Sequence, residues 1–194
     1  MAQRERIGRA RVMRPNYFVF CEGDTEVKYV EFLRAQFRCP IHIIPKKTLL
    51  NITPALVERC KATYMQTAKD HTFLMYDLDV PTMLDRLKKV PGAILLCSNP
   101  CFELWLLLHA KDQKAPITSE MVVKELKKSS EAWRTYTKSV ITRNQQIFLE
   151  DNMDVAIGRA IHLKESQNPS TSVYKLIKML KDAIHDGSYK QINP

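Results

Sequence analysis

The chain has 194 residues, enough for one domain with an ordinary buried core, or one domain plus an appendage. Thirty Lys and Arg against 21 Asp and Glu give a formal net charge of +9, which suits either a polyanionic partner or a basic surface that only aids solubility, and the composition excludes a disordered or fibrous chain. No apolar run is long enough to span a membrane, and an N-terminus carrying Arg4, Arg6, Arg9 and Arg11 is too polar for a secretory signal, so the expectation is a cytoplasmic protein without membrane contact. Residues 1–16 read as a basic N-terminal arm. Residues 17–21 are a short apolar run, hence a buried strand, ending in Glu22-Gly23-Asp24-Thr25-Glu26. Gly23 allows a tight turn, and Asp24 or Thr25 caps a helix with Val27, Val30, Leu33 and Phe37 at helical spacing, ended by Pro40. A second strand follows at 41–45, with Lys46 and Lys47 at its end. Thr53-Pro54 opens a helix to about Lys69 that turns Val57, Cys60 and Tyr64 inward.

The third strand, 73–79, ends in Asp77-Leu78-Asp79 before Pro81. A short helix over 82–89 and a fourth strand over 93–98 complete a strand–helix alternation. That order predicts an α/β fold with a four-stranded parallel sheet flanked by helices. Asn99-Pro100 reads as a cap and first residue of a helix that is apolar nearly all round. Beyond about residue 112 the chain turns polar, Lys-rich and helical in tendency. Residues 17–112 therefore read as the α/β domain and 113–194 as a helical appendage, with a helix over 152–164. Asn168-Pro169 repeats the helix start. The last helix carries Val173, Leu176, Ile177, Leu180 and Ile184 as a stripe that packs back on the core, with Gly187 as its C-cap.

In parallel sheets the crevice beyond the strand C-termini receives ligands. Glu22, Asp77 and Asp79 either are ordinary turn acids or are delivered to that edge, with Asp77 and Asp79 on one face by strand alternation. Three carboxylates without a cation repel one another, and bound Mg²⁺ or Mn²⁺ relieves this. Glu26 and Glu103 either complete a second metal site or serve the helix dipoles. Ser98 and Asn99 end the fourth strand, where they reach a phosphate or, for Asn99, cap a helix. The Asn168–Thr171 stretch, including Ser170, binds an anion through free helix N–H groups or caps the helix. Lys46 and Lys47 are phosphate contacts or a solvated loop. Lys124, Lys127, Lys128, Arg134, Lys138 and Arg143 either track a nucleic-acid backbone, with Trp133 and Tyr136 stacking on bases, or form a solvated helical face. The five cysteines lack a framework or zinc spacing and read as reduced thiols, mostly in the core. His109 reads as a core or helix-end histidine rather than a base.

The Glu22-Gly23-Asp24-Thr25-Glu26 and Asp77-Leu78-Asp79 blocks resemble the Toprim domain of topoisomerases, primases and overcoming-lysogenization-defect nucleases. More closely, Cys21–Glu26, Asn99-Pro100-Cys101-Phe102-Glu103-Leu104-Trp105 through His109, and Asn168-Pro169-Ser170-Thr171-Ser172-Val173-Tyr174 together resemble the RloB family, over most of the chain. The resemblance implies a Toprim-like fold, with Glu22 at the Toprim glutamate and Asp77 and Asp79 as the metal pair. It also implies a restriction or abortive-infection setting beside an ABC-type ATPase as partner. Pro81 stands where many topoisomerases and primases carry a third Asp. No strand-passage domain or nucleophilic-tyrosine context is visible, so hydrolysis is the better expectation. The functional expectation is a Mg²⁺-dependent nuclease acting on RNA, such as tRNA, or on DNA in anti-phage defence. The alternative is a non-cleaving subunit that binds nucleic acid or a nucleotide and regulates a partner ATPase. The sequence leaves room for a homo-oligomer in either case.

Overall fold

The computed structural model describes residues 14–39, 41–45 and 52–185. Four parallel strands form: β1 (Tyr17–Cys21), β2 (Ile41–Pro45) and β4 (Ile94–Asn99) within a residue of the expected limits, and β3 (His71–Asp77) two residues earlier than the expected 73–79, so that Asp79 falls outside it. A fifth strand, β5 (Ser170–Thr171), pairs antiparallel with β4, and the sheet order is β2-β1-β3-β4-β5. The expected four-stranded all-parallel sheet is thus corrected to a mixed sheet of five. β5 is two polar residues long, and it is a strand only because Ser170 and Thr171 meet Asn99 and Ser98 across the ladder.

Alternation along the strands sorts the core onto two faces. Tyr17, Val19, Cys21, Phe73, Met75 and Leu96 face one side, and Phe18, Phe20, Leu74, Tyr76 and Cys97 the other. The second face is covered by α2 (Pro54–Lys61) and α3 (Met83–Leu87) through Val57 and Leu87. The first face carries α1 (Asp24–Phe37) and α4 (Glu103–Ala110). It also carries α5 (Ser119–Ser129), α6 (Arg143–Asp151), α7 (Met153–Ile161) and α8 (Tyr174–His185). One continuous apolar cluster links Val30 and Leu33 of α1 and Leu104–Leu108 of α4 to Leu126, Leu149, Ala156 and Leu180. α4 is buried nearly all round because it lies between the sheet and these later helices.

Several local expectations give way to tertiary contacts. α2 stops at Lys61 rather than Lys69. The following turn is organised by Asp70, whose carboxylate accepts from the Asn16 and Thr67 backbone N–H groups and from the Thr67 hydroxyl. Asn99 is not a helix cap. It ends β4, its peptide to Pro100 is cis, its side chain donates to the Ser166 carbonyl, and α4 starts only at Glu103. Asn168-Pro169, also joined by a cis peptide, does not start a helix either. The Asn168 amide exchanges two hydrogen bonds with the Ile117 backbone, β5 follows, and α8 begins at Tyr174. Lys46, Lys47, Gly187 and residues 1–13 of the arm lie outside the described residues. Among the described residues, no helix is long and apolar enough to cross a membrane.

Candidate functional site

β1 and β3 lie side by side, and their C-terminal ends carry Glu22 and Asp77. The ladder continues one residue past β1, since the Glu22 N–H donates to the Met75 carbonyl at 3.0 Å. The Glu22 side chain then returns to β3, where Oε2 accepts the Asp77 backbone N–H at 2.9 Å. Asp77 follows Phe73 and Met75 in the alternation, which puts it on the face where α1 and α4 begin. The N-terminal turns of those helices supply Glu26 and Glu103, both buried. Carboxylates are favoured there by unpaired backbone N–H groups and the helix dipole.

Burial dominates the electrostatics of this edge, and neighbouring acids add to it. Burial, followed by the charges of Glu26, Glu22, Glu103 and Asp79, pushes the Asp77 carboxyl up to about 9. Burial chiefly, with Glu103 and Glu22 adding, raises Glu26 to about 7, against its own backbone hydrogen bond and the Lys138 ammonium. Asp77 Oδ1 is buried and has no hydrogen-bond partner among the described residues. Such an atom is costly to bury unless something else meets it. Asp79 lies two residues past the end of β3 and is exposed, so strand alternation does not place it.

The donor chemistry fits a hard divalent cation such as Mg²⁺: carboxylate oxygens, one of them orphaned, at a point where their charges destabilise one another. They are not gathered into a closed cage. Among the described residues, no group of three or more His, Cys, Asp or Glu side chains is already arranged to hold a metal ion.

The second half of the chain also reaches this edge. The Tyr136 hydroxyl donates to Glu103 Oε1 at 3.1 Å, and Lys138 Nζ stands 3.5 Å from the same oxygen. The Ser139 N–H donates to the Thr25 hydroxyl of α1 at 2.9 Å. These contacts join residues far apart in sequence, and no spacing rule could have placed Lys138 beside Glu103.

Other candidate residues go elsewhere. Trp133 and Tyr136, which one of two readings made base-stacking rings, are fully buried, Trp133 edge-on to Phe148 and Tyr136. Ser98 is buried and shares a hydrogen bond with Thr171, and Ser170 is buried in β5. Lys124, Lys127 and Lys128 are exposed on α5. His109 is buried, its Nδ1 bonded to the Trp105 carbonyl, and burial holds its pKa down to about 4. All five cysteines are free thiols, four of them buried.

The RloB-like protein family matches residues 17–180, which spans the sheet, the acidic edge and the helices that cover it. The chain belongs to the RloB-like family. No curated protein and no solved structure matches it. In this RloB-like chain the family match takes in Glu22, Glu26, Asp77, Asp79, Glu103 and Lys138 alike.

Gly23 gives a direct handle on the site. A Cβ at this position would stand 2.7 Å from Glu26 Oε2, because the Glu26 carboxylate folds back over the turn. The φ of Gly23 is −123°, which an alanine adopts without strain. Gly23→Ala should therefore fold with a loss of less than about 1 kcal/mol while displacing the Glu26 carboxylate. The expected result is a melting temperature within a few degrees of wild type, with at least about a tenfold loss of any metal-dependent cleavage. A Gly23→Ala variant that cleaves like wild type would show that the place of Glu26 is immaterial.

Proposed function

We propose that this RloB-like protein is a divalent-metal-dependent phosphodiesterase, a nuclease with a Toprim-like site in which Asp77, Asp79, Glu22, Glu26 and Glu103 supply the ligands and the acid–base groups. The observation that carries the reading is Asp77. It ends a buried strand, its Oδ1 has no hydrogen-bond partner among the described residues, and four acidic neighbours press on its charge. A cluster kept in that state is better explained by a cation than by packing, since an apolar side chain would fill the place at lower cost.

Mg²⁺ or Mn²⁺ bound there would polarise a phosphate oxygen and acidify a water. The chain's own residues do the rest. Asp77 and Glu103 form the floor of the site. Glu22, held by the Asp77 N–H, is the candidate proton acceptor. Glu26 is placed to hold a proton near neutral pH. The net charge of +9 favours encounter with RNA or DNA, and the exposed lysines of α5 offer a basic face. A role in anti-phage defence beside an ABC-type ATPase is the cellular setting we propose, on the strength of family membership.

The test is incubation of purified protein with tRNA, total RNA and plasmid DNA, in Mg²⁺, in Mn²⁺ and in EDTA. Cleavage of at least one substrate with either metal, and none in EDTA, is expected. Binding without cleavage under every condition would replace the enzyme with a non-cleaving regulatory subunit.

A further inference from the structure

Hydrolysis at this edge poses an electrostatic problem. A phosphodiester that approaches Asp77, Glu22, Glu26 and Glu103 brings a further negative charge to a place where acids already repel one another. Polyanion sites solve this with a cation that is reachable from solvent and held close to the reacting group. Lys138 meets both conditions. Its side chain is 64% exposed, whereas the Glu103 side chain that it faces across 3.5 Å is only 3% exposed. The ammonium thus stands between solvent and the floor of the site. Its charge bears on Glu103, Asp77 and Glu26 together. The lysines of α5 have a different company, with Lys124 and Lys128 acting on Glu125.

The position of Lys138 is built, and from three sides. Tyr136 is buried and ties its hydroxyl to Glu103 at the start of α4. Ser139, at a positive φ of 67°, donates its N–H to the buried Thr25 in the first turn of α1. Trp133, deep in the core, anchors the segment upstream. Residues 136–139 are therefore a strap laid from the later helices across the starts of α1 and α4, with Lys138 at its crest. At 3.5 Å the pair with Glu103 is longer than the 2.7–2.9 Å of a tight charged hydrogen bond. An ammonium has three donors, and one carboxylate oxygen engages one of them.

We infer that Lys138 is the phosphate-contacting cation of this site, carried by a strap from the second half of the chain that docks on Thr25 and Glu103. The inference rests on the phosphodiesterase reading for its substrate class. Lys138 touches a non-bridging oxygen of the substrate phosphate and offsets the charge of the acidic floor. The α/β half alone is then an incomplete site.

The experiment uses the full chain, as wild type, Lys138→Gln and Lys138→Arg, with single-stranded RNA and DNA oligonucleotides as probes. Binding is measured in EDTA across a salt series, cleavage kinetics in Mg²⁺ and Mn²⁺, and melting with and without metal. Lys138→Gln should bind about tenfold more weakly at low salt. Its salt slope should fall by roughly 0.7, the signature of one lost phosphate contact on a single strand. KM should rise by a similar factor, while the melting temperature and its response to metal stay unchanged. Lys138→Arg should restore most of the affinity.

Wild-type affinity and salt slope in Lys138→Gln would overturn the inference, and so would a loss that accompanies lower melting and is not restored by Arg. If wild type cleaves while Lys138→Gln matches it throughout, the enzyme reading stands and Lys138 falls. If binding depends on Lys138 but nothing is cut, the phosphate contact stands and the hydrolytic reading falls. A wild type that binds neither oligonucleotide removes both.

Discussion

Asp77→Asn is expected to abolish cleavage, with a loss of about a thousandfold or more. The fold should survive, because the backbone N–H that Glu22 accepts is retained in the variant. In EDTA the variant should melt at or above wild type, since the substitution removes a buried carboxyl that Glu26, Glu22 and Glu103 oppose. The sign follows from linkage. Asp77 titrates near 9 in the folded chain against about 4 in an unfolded one, so between those values the folded state holds the extra proton. Stability of the metal-free wild type therefore falls as pH rises through that window, and Asn, which cannot ionise, escapes the loss.

Wild type should gain stability as Mg²⁺ is added, since an ion taken up only by the folded state stabilises it, and the variant should lose most of that gain. Asp79→Asn is expected to be inactive as well. Glu22→Gln should be inactive yet keep much of the metal response if Glu22 acts chiefly as a base. The measurement pairs thermal melting with a nuclease assay on the same preparations. Full cleavage by Asp77→Asn would sink the site as drawn, and loss of activity together with loss of folding would leave Asp77 a structural role only.

Trp133→Ala should be among the most destabilising single changes in the chain. The ring is fully buried and packs edge-on against Tyr136 and Phe148, in the same apolar cluster that continues to β1, β3 and α4. Truncating a buried Trp costs about 3–5 kcal/mol, which lowers the melting temperature of a chain of this size by on the order of 10 °C. Because that cluster runs from the sheet to α8, unfolding should remain a single transition by circular dichroism and fluorescence. The strap that bears Lys138 starts beside Trp133, so activity should fall along with stability. A variant that melts like wild type and loses only affinity for single strands would make Trp133 a surface stacking platform.

The amino-acid sequence by itself determined the parallel part of the sheet and the placing of Glu22 and Asp77 beside the C-terminal ends of two of its strands, although the third strand ends at Asp77 rather than 79. Those features are local: an apolar run of strand length closed by Gly, Pro or carboxylates is legible without knowing its neighbours, and β1, β2 and β4 fall within a residue of the predicted limits. The Glu22-Gly23-Asp24-Thr25-Glu26 turn and the Asn99–His109 block likewise sufficed to suggest the family that matches residues 17–180.

Tertiary structure decided what depends on partners distant in sequence. Two Asn-Pro pairs look like helix starts, but Asn99 is taken up by Ser166 and β5, and Asn168 by Ile117, because a side-chain amide that finds a backbone partner across the fold no longer caps its own chain. Ser170-Thr171 has no strand signal and becomes one only by pairing with β4. Trp133 and Tyr136 sit in a Lys-rich stretch that looks solvated, yet both rings turn into the core while the lysines stay outside, since burying an aromatic ring is favourable and burying an unpaired ammonium is not. The same packing sets Lys138 over Glu103. Docking the later helices on α4 decides which of many exposed cations stands at the acidic edge.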